Sequence, residues 1–164
     1  MDLTTTQALW FLPAALPICF AVAWNDLTSM RIPNSLVVAT FVAFAVLGFI
    51  ALPFETYLWR WSHLVVFLII GMIANAAGLL GAGDAKFIAA AAPFFAAGDA
   101  QYVVVVLAVC IFGGFIVHRI AKHTALRRLA PDWKSWTTGK RFPMGFPLAM
   151  TFVTYLVTPF FAGA

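Results

Sequence analysis

The chain has 164 residues, of which 63% are hydrophobic and only 10% charged, against about 25% charged in an ordinary soluble domain. So short a chain has too little interior to hide that much apolar surface from water, which excludes a soluble globule and makes lipid the expected solvent. The net charge of +4 does not point to nucleic acid, because the basic residues fall in short loops between apolar runs, the pattern that sets membrane topology.

A helix needs about 20 apolar residues to cross the hydrocarbon core. Six segments approach that, at roughly 7–23, 35–52, 63–80, 85–97, 102–117 and 146–161. Helix is the expected spanning state, since nothing resembles the alternating strands of a barrel. The predicted fold class is therefore all-α: a polytopic integral membrane bundle of about six transmembrane helices. With no linker, repeat or low-complexity stretch, 1–164 reads as a single membrane-embedded domain. The first segment lacks the positive flank of a signal peptide despite Ala21-Val22-Ala23, so it is expected to be retained. The fourth, Ala-rich and carrying Pro93, is the weakest: tilted, packed inside the bundle, or short of a full crossing. Cys19 and Cys110 lie inside apolar runs and read as small buried hydrophobes.

Six spans put Arg31, Lys86 and the basic loop 118–142 on one side, leaving only Arg60 of the 10 Lys and Arg on the other. The bias predicts these loops in the cytoplasm and both termini outside. Trp133 and Trp136 make the basic loop an expected anchor on anionic lipid.

Of the six acidic residues, Asp26 and Asp84 stand beside apolar spans on that same side. Ionisable groups at membrane depth are costly and usually functional. Two carboxylates at one level can share a proton and a water, one ionised to activate the water and one protonated to polarise a carbonyl. That is the chemistry of an aspartyl protease. Gly81 and Gly83 precede Asp84 and allow close backbone approach or positive φ. Pro33 cannot continue a helix and Asn34 is a good N-cap, so Ile32-Pro33-Asn34 is expected to fix the turn after Asp26 and aim its carboxylate. Asp84 itself could be an N-cap. Lys86 could pair with Asp84, bind lipid phosphate or snorkel. Asn75 reads as glue between helices, with the small run 74–78 allowing close contact beside it. His63, His118 and His123 form no HExxH, so a metalloprotease is not indicated, and Ser62-His63 lacks a nucleophile turn.

The surroundings of the two aspartates resemble the prepilin peptidases, GXGD-type membrane aspartyl proteases. Asp26 is followed by Leu27, Thr28, Ser29, Met30 and Arg31, then Ile32-Pro33-Asn34. The second match is Gly81-Ala82-Gly83-Asp84-Ala85-Lys86, and a weaker third is Phe142-Pro143-Met144-Gly145-Phe146-Pro147-Leu148-Ala149. The resemblance implies Asp26 and Asp84 as the catalytic pair, with Gly81, Gly83, Lys86, Ile32, Pro33, Asn34, Pro143 and Gly145 binding substrate or shaping the site. It implies no metal and no organic cofactor. The implied substrate is a prepilin with a basic leader ahead of a hydrophobic helix, cut at the cytoplasmic face of the inner membrane, typically after Gly. Membrane lipid and the pilus assembly machinery are the further partners. The chain has no CxxC pair, so the methyltransferase activity of larger members is not expected, and the short form is similar to the peptidases of Flp-type, tight-adherence pili, with archaeal preflagellin peptidases related. Two other readings remain open: a small transporter or channel-like subunit using the same carboxylates in an ion path, and a non-catalytic pilus assembly factor.

Overall fold

The computed structural model describes residues 1–139 and 141–162, leaving Lys140 of the basic loop outside the described residues. The regular structure is helical: α1 (Thr5–Ser29), α2 (Asn34–Ala51), α3 (Phe54–Ala76), α4 (Ala82–Ala91), α5 (Ala100–His123), α6 (Gly145–Val157) and a short α7 (Pro159–Ala162), with 3₁₀ turns after α4 and in the basic loop. Among the described residues, five helices are long and apolar enough to cross a bilayer: α1, α2, α3, α5 with the turn before it, and α6 with α7. The chain is a polytopic helical membrane protein.

Local chemistry sets the boundaries. Thr4 and Gln7 form a reciprocal capping box at the start of α1, satisfying two orphan backbone donors. α1 ends where Met30 adopts φ 55°, its N–H closing on the Asp26 carbonyl at 2.8 Å. The chain then turns through Ile32 into α2, whose N-cap is Pro33. Asn34 is the first helical residue rather than the predicted cap. α1 also runs six residues past the predicted span (23 against Ser29), so Asp26 stands in a helix and not in an interfacial loop.

α3 begins nine residues before the predicted 63, because Arg60, which reads as a loop charge, is buried. Its guanidinium donates to the carbonyls of Phe94 at 3.1 Å and Pro93 at 3.5 Å, at the break that follows α4. Asn75 is not glue between helices: its Nδ2 donates to Leu80 O at 2.8 Å and shapes the turn leading to Asp84. Residues 74–78 are largely exposed. Close contact falls instead at Gly71, where an added Cβ would lie 3.0 Å from Ala85 Cβ.

The fourth segment is packed inside the bundle. α4 has 10 residues, about 15 Å of helix against a hydrocarbon core of about 30 Å. Ala85, Phe87, Ala89, Ala90, Ala91, Pro93 and Phe94 are buried, so α3, α2 and α6 rather than lipid enclose it. Two 3₁₀ turns, Ala92–Phe94 and Ala97–Asp99, complete the path. At its far end Asp99 accepts from the backbone N–H of Asp2 at 2.8 Å and of Leu3 at 3.1 Å, and from the Tyr155 hydroxyl at 2.8 Å. Segment 82–99 thus carries the chain from the Asp26 end of the bundle to the Asp2 end.

The aromatic core sits toward the Asp2 end. The ring of Phe94 lies 5.0 Å from Phe11, 5.2 Å from Phe44 and 4.9 Å from Phe152, all with inclined planes. Between helices in lipid such van der Waals packing replaces the aqueous hydrophobic effect as the cohesive term. The basic loop folds back over the Asp26 end: Trp133 stacks on Trp136 and meets Trp24 of α1 edge-on, and Trp136 stacks on His118.

Candidate active site

Each aspartate is fixed by its own helix and held by backbone N–H groups of a helix N-terminus. Asp26, 5% exposed, occupies the last full turn of α1. Its Oδ2 accepts from the N–H of Gly145, the first residue of α6, at 2.6 Å, and the Phe146 N–H faces the same carboxylate. A carboxylate there satisfies donors the helix cannot pair internally and meets the positive end of its dipole. A side chain at Gly145 would crowd the site: a Cβ would stand 3.0 Å from Asp26 Cβ, Asp26 Oδ2 and Ile32 Cδ1, so these neighbours would have to give by a few tenths of an ångström. Pro143, fully buried, fixes the entry to α6.

Asp84 is the third residue of α4, and the N-cap is Gly81. The carboxylate folds back to accept the Gly81 N–H, half of a capping box. A Cβ on Gly81 would lie 2.6 Å from Asp84 Oδ2. The glycine gives the Asp84 carboxylate room where it folds back and is not required by its backbone: Gly81 has φ −67° and Gly83 lies within α4. The positive-φ glycine of this turn is Gly78, at φ 72°.

Ile32 joins the two halves. It lies 3.4 Å from the Cβ position of Gly83 and 3.0 Å from that of Gly145, and is itself 7% exposed. Lys86 reaches neither aspartate. Its Nζ donates to Asn34 Oδ1 at 3.2 Å, tying the second turn of α4 to the start of α2. All ten residues singled out in the sequence therefore gather at one end of the bundle, around α1, the 31–34 turn, the start of α4 and the start of α6.

The charge of Asp26 bears on Asp84. Asp84, in the first turn of α4 and outside the five spanning helices, is pushed up to about 6, first by burial and then by the negative charge of Asp26, against the lowering effect of the Gly81 N–H. Two carboxyls with a proton to share and backbone donors fixing their orientation can hold and activate one water.

Sequence reasoning missed the polar cluster at the opposite end. Asp99, Tyr155 and Arg60 are buried there, and the Tyr155 hydroxyl accepts from Ala96 N–H at 3.0 Å while donating to Asp99. These residues lie far apart in the chain and no spacing signals their meeting.

The fold and site define a helical membrane protein with a carboxylate pair at one end of its bundle. The model of the type IV leader peptidase family matches residues 14–118, more than half of the chain and including both aspartates. The chain belongs to the type IV leader peptidase family, a family of membrane-bound proteases that process prepilins. The α6 start that holds Asp26 lies beyond the matched stretch. No curated protein and no solved structure matches the chain significantly.

Proposed function

We propose that this chain is a prepilin leader peptidase of the short, Flp-like form, which removes basic leaders at the cytoplasmic face of the inner membrane by means of Asp26, Asp84 and one water. The observation that carries the reading is the convergence of Asp26 from α1 and Asp84 from α4 at one end of the bundle, where Ile32 packs between Gly83, next to Asp84, and Gly145, which donates to Asp26, both acids lying inside the stretch matched by the family.

The mechanism follows from that convergence. The pair holds one proton between two carboxyls, since double ionisation at close range is disfavoured. The ionised member removes a proton from water as it attacks the scissile carbonyl, and the protonated member donates to the developing oxyanion. The pair then returns a proton to the leaving amine. Neither role is given to one aspartate, because the two titrate as a unit. Gly145 and Gly81 leave room for the carboxylates, Ile32 and Pro33 set the turn between α1 and α2, Pro143 sets the start of α6, and Lys86 with Asn34 braces the face. No metal or organic cofactor enters the scheme. The absence of CxxC goes with cleavage without methylation of the new N-terminus. An ion path would call for charges near the midplane of the bundle, whereas this pair stands at one end, which favours the peptidase.

The test is cleavage of prepilins encoded in the same genome, in membranes, with Asp26→Asn and Asp84→Asn assayed separately. Asn keeps the shape and removes the acid. Either substitution is expected to reduce cleavage by about 10²–10⁴-fold while insertion is retained. Cleavage that survives both substitutions refutes the aspartyl mechanism.

A further inference from the structure

A second feature lies next to the carboxylates. α5 packs mainly on α6, and α3 and α5 stand apart. Between them is a cavity of about 330 Å³ whose floor is α4 and the 3₁₀ turn after it, with α6 behind. Ile88 and Phe95 line the floor, His63 and Phe67 one wall, Val104 and Leu107 the other. The lining is almost wholly apolar. Phe67 and Val104 are 42% and 65% exposed, so the groove opens sideways into the lipid rather than toward water.

Its register points to an occupant. Asp84, Ile88 and Ala91 follow one another at the i, i+4 and i+7 positions that share a face of α4, and Phe95, in extended backbone just past the 3₁₀ turn, lengthens the floor. The floor of the groove is thus the face of α4 that begins at Asp84. The cavity starts one turn beyond the carboxylates, at Phe87, Ile88 and Leu148, and extends to Ala97 and Ala100 near the Asp2 end.

Resting on the peptidase reading above, we propose that this groove between α3 and α5 receives the apolar transmembrane helix of the substrate, with the helix N-terminus at Asp84 and its body running toward the Asp2 end. The polarity fits: the bond to be cut lies at the N-terminal end of that helix, and the groove continues from the carboxylates in the one direction in which the helix extends. An apolar occupant entering from lipid meets a lining whose polar side chains are His63 at one wall and Thr151, which already donates to the Pro147 carbonyl. Recognition then comes from helix-on-helix packing along α4. The basic leader, which the basic loop repels, contributes little to it.

The experiment uses the full chain in lipid nanodiscs and two model peptides, each with a basic leader ending in Gly, one continued by a 20-residue apolar helix and one by a short polar tail. A photoreactive phenylalanine derivative is placed at Val104, or at Val109 on the outer side of α5 as a control, in the Asp84→Asn protein, so that capture does not depend on cleavage. Crosslinking of the helix-bearing peptide from Val104 and not from Val109 is the expected result. In the cleaving protein, Val104→Trp, which fills the groove, is expected to raise KM for that peptide at least tenfold, and Val109→Trp to leave it unchanged. Crosslinks from Val104 to lipid alone, with KM unmoved by Val104→Trp, overturn the groove while leaving the peptidase reading intact. Capture at Val104 by a protein that cuts neither peptide would do the reverse.

Discussion

The two glycines that contact the carboxylates separate steric need from conformational need. At Gly145 and Gly81 an added methyl group crowds an aspartate, at 3.0 and 2.6 Å, so that the carboxylate has to shift to make room. At Gly113, on α5, a Cβ meets nothing within 4 Å. Gly145→Ala and Gly81→Ala are therefore expected to lower kcat/KM by about 10–100-fold, as displacements approaching 1 Å at a reacting group do. Gly113→Ala is expected to change neither activity nor stability by more than about 0.5 kcal/mol. Initial cleavage rates on matched amounts of inserted protein decide it, and equal loss at all three positions would show that packing in general, not carboxylate placement, is being measured.

The same scale carries a pH prediction. Asp84 titrates near 6 because burial and the charge of Asp26 both disfavour its ionised form. Asp26→Asn removes the second cause and leaves the first. Removing a neighbouring negative charge makes ionisation easier, so Asp84 in that variant should titrate below about 6 yet above the ordinary 3.8. The carboxyl C=O stretch followed by infrared spectroscopy against pH measures this directly. An unchanged or higher midpoint would mean that the acids do not sense each other.

Between elements, the most exposed dependence is that of α4 on α3. α4 is short and held by close packing, and Gly71 is where α3 approaches it, 3.0 Å from the Ala85 methyl for an added Cβ. Ala85 follows Asp84 directly, so a larger residue at 71 pushes on the turn that carries Asp84. Gly71→Val is expected to cost about 1–3 kcal/mol of stability, as overpacking does, and to reduce cleavage together with it. Thermal unfolding in detergent and the cleavage rate should move in step; stability lost with full activity would place the contact outside the site's support.

This element also marks how much the sequence can tell. Asp26 and the 81–86 turn were legible as candidate segments because they set acids beside apolar spans, and 142–149 only through its resemblance to a family motif. The bonding between them was not. That Gly145 donates to Asp26 depends on α6 ending up antiparallel to α1, a packing outcome that no local pattern encodes. The α3 start was misread because a buried Arg and a loop Arg look alike in sequence; only the carbonyls of Pro93 and Phe94, 33 and 34 residues away, distinguish them. The fourth segment failed the length criterion because that criterion assumes contact with lipid, and α4 is sheltered by its neighbours.

At the scale of the whole molecule, the number of crossings determines which face bears the chemistry. Five helices qualify by length and apolarity, and an odd count would put Arg31 and the basic loop on opposite faces. The bonding argues for six passages. Asp26 meets the start of α6, whereas Asp99 meets Asp2 and Leu3, so the chain between Asp84 and Asp99 has travelled from one end to the other. α5 then returns to the end where Trp133 packs on Trp24, and α6 leaves it again, reaching Pro159, whose carbonyl accepts from Thr5. Native Cys19 and Cys110 are buried and can be replaced by Ala before single cysteines are introduced at Arg31, Arg127 and Glu55, all exposed. In sealed inner-membrane vesicles of known orientation, Arg31→Cys and Arg127→Cys are expected to react with an impermeant maleimide from the cytoplasmic side alone, and Glu55→Cys from the other side alone. Reaction of Arg31→Cys and Arg127→Cys from opposite sides would remove the fourth segment, 85–97, as a crossing. With it would go the cytoplasmic placement of the two aspartates, since the positive charges that argue for that placement would no longer lie on one face.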